Sequence, residues 1–107
     1  MTFDPVKLCE ELRARGDEWA EADAAEKALE RTLKPLLHTI MGKSEGGSVA
    51  ARESEAYADP RYATHISALN DATKAASLAR VKYETMKTYL DLERSRMASE
   101  RAANARI

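Results

Sequence analysis

Residues 4–40, DPVKLCEELRARGDEWAEADAAEKALERTLKPLLHTI, decide the fold. Asp4 before Pro5 is a helix start, because aspartate accepts backbone N–H bonds at an N-cap and proline at the first helical position forfeits no hydrogen bond. From there apolar side chains return in alternating steps of four and three through Leu8, Leu12, Trp19, Ala22, Leu29, Leu33, Leu36 and Ile40. That spacing is the seam of a coiled coil. Arg15 and Glu26 take two polar places on the same seam. Gly16 costs such a helix roughly 1 kcal/mol relative to alanine. Pro35 withholds the N–H that the preceding turn needs, so a bend or break is expected just before it in a helix over about residues 5–41.

Outward from this stretch, residues 42–48 (GKSEGGS) form a flexible turn. Ser48 then caps a short helix over about 49–57, and Asp59-Pro60 repeats the opening signature for a second long helix over about 60–104. The seam expected on that helix runs through Tyr62, Ile66, Leu69, Thr73, Ala76, Arg80, Tyr83, Lys87, Leu90, Arg94 and Met97. Small residues line a second stripe, Ala68, Ala72, Ala75 and Ala79. Val81, Met86, Tyr89 and Leu92 fall off the first seam. A helix with two apolar faces calls for two neighbours, one of them the first helix and the other a second copy of the chain. The expected fold is therefore all-α: one antiparallel, coiled-coil-like hairpin of two long helices with a short helix in the connection. It is expected to assemble as a homo-oligomeric helical bundle, with a dimer favoured. Folding about residues 42–59 would set Leu36 opposite Leu69, Leu29 opposite Ala76, Ala22 opposite Tyr83 and Leu8 opposite Met97, with Glu26 beside Arg80.

Composition agrees with long helices. Of 107 residues, 33% are charged, 44% hydrophobic and only 6% aromatic, and four glycines and three prolines supply few turns. A net charge of -1 exerts no global pull on nucleic acid or on an anionic membrane, so electrostatic recognition has to be local. The single cysteine, Cys9, excludes an internal disulfide and suits a reduced, cytoplasmic protein. Neither a secretory leader nor a membrane span is expected, since no apolar run approaches the length required.

The charges are segregated along the chain. Pro60 to the end carries nine Lys/Arg against five Asp/Glu, whereas Asp4 to Lys34 carries nine acids against six bases. Arg80, Lys87, Arg94 and Arg101 recur every seventh residue, with Lys82 and Arg96 on a neighbouring track. Such a stripe can meet phosphates or an acidic protein. Alternatively, the acidic helix neutralises it within the hairpin or across a dimer.

Catalysis finds little support. His38 and His65 flank the turn, but a metal site needs three or four convergent ligands. The glutamates and aspartates of the first helix lack the Glu-x-x-His partners of di-iron bundles and read as a solvated face. Gly42-Lys43-Ser44 resembles the end of a phosphate-binding loop without its earlier glycine or leading strand. No catalytic, cofactor or metal residue is expected. Trp19 is core or, where the seam meets another chain, an interface anchor.

The stretches Ala58-Asp-Pro-Arg-Tyr-Ala-Thr-His-Ile66, Arg80-Val-Lys-Tyr-Glu-Thr-Met-Lys87 and Leu92-Glu-Arg-Ser-Arg-Met-Ala-Ser-Glu-Arg101 resemble small helical proteins of tailed phages and prophages, often encoded near recombination or replication genes. The resemblance covers roughly the second half of the chain and transfers no residue roles. It implies a phage accessory factor acting in the host cytoplasm. The leading expectation is a non-enzymatic, oligomeric binding protein of DNA metabolism, with Arg80, Lys87, Arg94 and Arg101 as candidate contacts to nucleic acid or a partner. One alternative is an inhibitor or adaptor directed at a host nuclease or defence complex, presenting Glu18, Glu21 and Asp23. Another is a structural spacer or virion component.

Overall fold

A computed structural model describes residues 4–106. It comprises three helices, α1 (Pro5–Gly42), α2 (Val49–Ala58) and α3 (Pro60–Ala105), with no strand among the described residues.

Each helix begins on the capping residue its sequence supplies. The Asp4 carboxylate accepts the N–H groups of Val6 at 3.1 Å and Lys7 at 3.2 Å, and the Ser48 hydroxyl accepts that of Ala51 at 3.1 Å. Asp59 ends α2 and starts α3. Its own N–H donates to the Ala56 carbonyl at 3.2 Å, while its carboxylate accepts the Arg61 N–H at 2.8 Å. Asp59 is extended, at φ -67° and ψ 132°, as the ring of a following proline demands. Asp59-Pro60 therefore separates two helices.

Pro35 does not end α1, which continues to Gly42, so the break expected there is absent. Pro35 is exposed, and so is Arg31, whose carbonyl loses its usual donor, leaving that carbonyl's side of the helix open to water. Leu36, Leu37 and Ile40, just beyond it, all turn away from solvent and hold the last turns against the rest of their unit.

The chain divides into two compact units, residues 1–19 with 78–107, and residues 20–77. Within each, a stretch of α1 runs antiparallel to a stretch of α3. In the first unit Trp19 packs on Tyr83 with ring centroids 5.5 Å apart, and Gly16 lies under the same tyrosine ring. In the second, the His65 ring nitrogen Nε2 lies 2.7 Å from the Leu29 carbonyl, and Leu36 lies among Pro60, Arg61, Thr64, His65 and Ala68. The architecture is an all-α helical hairpin with a short helix in its connection.

These pairings correct the expected register. Tyr83 meets Gly16 and Trp19, Leu29 meets His65 where Ala76 was expected, and Leu8 shares a groove with Tyr89 where Met97 was expected. The displacement is about one heptad, a slip that returns the same seam positions to one another and that periodicity therefore does not resolve. The connection decides it. α3 begins beside Leu36, so α1 runs past the start of α3 and α2 occupies the overhang, with Ala56 fully buried and Ile40 nearly so. The loop before α2 is tied to it: Arg52 Nε donates to the Gly46 carbonyl at 2.8 Å, and the Ser44 hydroxyl bonds the Glu55 carboxylate. A side chain at Gly46 would stand 3.3 Å from the Arg52 backbone nitrogen, so only glycine fits this approach comfortably. Tyr57 and Tyr62 meet edge to face across the α2–α3 corner at 5.0 Å.

The core is thin. Ile40, Ala56, Ala76, Ala79 and Leu90 are its buried apolar residues among those described, and none of the larger side chains is fully enclosed. Three of the five are alanines, which contribute little burial each.

Candidate interaction surface

The seam of α1 is placed as its spacing predicts: Leu8, Leu12, Arg15, Trp19, Ala22, Glu26, Leu29, Leu33, Leu36 and Ile40 are all withdrawn from solvent, and the positions between them are mostly exposed. On α3 one column of the expected seam holds, Tyr62, Leu69, Ala76, Tyr83, Leu90 and Met97. The other is displaced by one residue over most of its length. Ala72, Ala79, Met86 and Glu93 turn inward, while Thr73, Arg80, Lys87 and Arg94 turn out. Two apolar alternatives, Ala79 and Met86, stood next to the polar ones, and burial selects them. The expected Glu26–Arg80 pair is not among the ion pairs of the described residues; Arg80 is exposed in the first unit and Glu26 half-buried in the second.

This correction gives the second half of α3 three faces. At about 100° per residue, the basic column flanks the inward seam, within about a quarter-turn of it, and a third column lies on the opposite side of the helix. The basic column is Arg80, Lys87, Arg94 and Arg101. All four are exposed, and none has a carboxylate within 4.0 Å among the described residues. The neighbouring track is engaged: Lys82 pairs with Glu18 at 3.7 Å, and Arg96 bridges Glu93 at 2.9 Å and Glu100 at 2.6 Å. Hydrogen bonding to Glu93 is the main cause that raises the Arg96 pKa further. Exposed Glu84 and Asp91 interleave with the basic column at helical spacing, so the face alternates in sign.

The third column is apolar and uncovered. Leu78, Val81, Tyr89 and Leu92 expose 52%, 53%, 49% and 64% of their surface, with Thr85 and Thr88 between them. Shallow hollows lie beside it and along it. One is lined by Leu8, Glu11 and Arg15 of α1 with Val81, Met86 and Tyr89 of α3, the other by Val81, Glu84, Thr88 and Leu92. Val81, Tyr89 and Leu92 stand out in the sequence as off-seam residues, but Leu78 does not, and Met86, grouped with them, belongs to the inward seam. Counting outward steps of three and four from Leu78 recovers the whole column.

The acidic candidates are mostly occupied. Glu18 pairs with Arg15 at 3.5 Å as well as with Lys82, and Asp23 holds Lys27 at 2.7 Å, a hydrogen bond that raises the lysine pKa. Glu21 is exposed. Trp19 is half-buried on Tyr83 inside its own unit. His38 is exposed, while His65 approaches Leu29 and, at 3.5 Å, the Thr32 hydroxyl. No cluster of three or more His, Cys, Asp or Glu side chains suited to a metal occurs among the described residues. No helix among them is long and apolar enough to cross a membrane.

Comparison with known protein families, curated proteins and solved structures finds no match for this chain.

Proposed function

We propose that this chain is a non-enzymatic, oligomeric helical protein that acts by binding, as a phage accessory factor in DNA metabolism in the host cytoplasm. The observation that carries the binding role is the exposed column of Arg80, Lys87, Arg94 and Arg101, whose charges are unpaired among the described residues while Lys82 and Arg96 beside them are paired. Four cations at every seventh position repeat at about 10 Å along the helix. They offer phosphates a row of separate contacts. The phage assignment rests on the sequence resemblance of the second half of the chain.

Titrating duplex DNA binding against salt tests this reading. Each phosphate contact releases counterions, so log affinity falls linearly with log salt, and each charge removed from the column lowers the slope by about 1. Replacing all four with glutamine is expected to bring the slope near zero. A slope unchanged by all four substitutions overturns this column as the DNA contact, and a wild type without affinity for DNA overturns direct DNA contact.

The interleaved Glu84 and Asp91 favour a second reading, an adaptor or inhibitor directed at a protein surface of matching alternation. That reading predicts tight association with a host nuclease or defence complex and no affinity for DNA.

A further inference from the structure

We propose that the apolar column Leu78, Val81, Thr85, Thr88 and Leu92, with Tyr89 at its edge, is the seam on which a second copy of this chain packs, α3 against α3 in parallel orientation. The inference rests on the oligomeric reading above and adds to it the surface and the direction.

Three observations support it. The first is exposure. Leu78, Val81, Tyr89 and Leu92 leave 49–64% of their surface uncovered along one face of α3. The second is spacing. Leu78, Val81, Thr85, Thr88 and Leu92 advance in steps of three, four, three and four, which is the period of a two-helix seam. Hollows beside the ridge and along it leave room for a partner's side chains to enter.

The third is charge. On one flank of the column stand Glu84 and Asp91, and on the other Lys82, Tyr89 and Arg96. In a parallel pair each residue of the first flank meets the residue five further on in the partner's second flank. Asp91 then faces Arg96 of the other copy, twice per dimer, and Glu84 faces the Tyr89 hydroxyl. Arg96 has capacity for this: Nε and one terminal nitrogen donate to Glu93 and the other terminal nitrogen to Glu100, leaving one N–H on each terminal nitrogen. An antiparallel pair instead lays each flank against its own copy, carboxylate against carboxylate, with no opposite charges brought together. The parallel arrangement leaves Arg80, Lys87, Arg94 and Arg101 outside the seam on both copies.

The test uses the full chain in three measurements. Sedimentation equilibrium of the wild type is expected to show a dimer, and Val81→Glu or Leu92→Glu to raise the dissociation constant at least about tenfold. Both side chains are exposed within one chain, so helicity by circular dichroism should persist in the variants. In a Cys9→Ser background, Ser95→Cys at the next step of the seam is expected to form an intermolecular disulfide under mild oxidation, because parallel copies bring identical seam positions together. An antiparallel seam would hold the two cysteines about 25 Å apart. A monomeric wild type overturns both the oligomeric reading and this one. A dimer indifferent to Val81→Glu and Leu92→Glu keeps the oligomer and overturns the surface. A dimer weakened by those substitutions but unable to cross-link through Ser95→Cys overturns the parallel direction.

Discussion

At Gly16 the missing side chain leaves the α1 backbone open to the ring of Tyr83, which in turn lies on Trp19. A methyl group there would sit 3.4 and 3.6 Å from the ring carbons, ordinary contact distances. Gly16→Ala should therefore keep the packing and restore helix propensity, raising stability by about 0.5–1 kcal/mol in urea unfolding. A loss of stability would contradict room for a methyl group beneath the ring. Asp59 governs the other junction. A hydrogen bond from the Arg61 side chain holds its carboxyl below the ordinary aspartate range. A depressed folded-state value makes Asp59 stabilising above the unfolded value, near pH 4, and that contribution disappears as acid protonates the folded carboxyl. An asparagine in its place would cap without titrating. Helicity followed from pH 5 downward should consequently fall more for the wild type than for Asp59→Asn, and identical acid profiles would remove Asp59 from the cause. Both capping aspartates and Ser48 were legible in the sequence, because a cap needs only its own side chain and the next few N–H groups. The tie between His65 and Leu29 was not, since nothing local indicates which carbonyl a histidine will reach.

Among the elements, α1 and α3 differ in how openly they declare their faces. The seam of α1 reads directly because Leu, Ile and Trp alternate with charges. On α3 alanine, threonine and arginine crowd the same columns, and one column admits two choices a residue apart. The choice turns on burial of Ala79 and Met86, which a single sequence leaves ambiguous. Once it is made, the basic column is external and the third, apolar column becomes visible. α1 also carries Pro35 through an unbroken helix. Proline inside a helix costs roughly 3 kcal/mol relative to alanine, so Pro35→Ala, at an exposed position, should stabilise the chain by about 1–3 kcal/mol. An unchanged thermal midpoint would show that the helix has already relaxed around the ring.

For the whole molecule, fold class and element order followed from periodicity and capping, while the register did not. A heptad pattern is satisfied equally after a slip of seven residues, and the docking of α2 through Ala56 fixes which solution is used. Two units with few buried side chains, three of the five being alanine, leave each a small hydrophobic contribution against its ordering entropy. A second copy on the Leu78–Leu92 column, as proposed, would add the burial that each unit has little of and would leave the basic column free for a partner. Association of this kind stabilises by mass action. The most direct measurement is the thermal midpoint of the wild-type chain over a hundredfold range of protein concentration. The midpoint is expected to climb with concentration, and Val81→Glu to abolish the climb. A midpoint independent of concentration in the wild type would contradict this association.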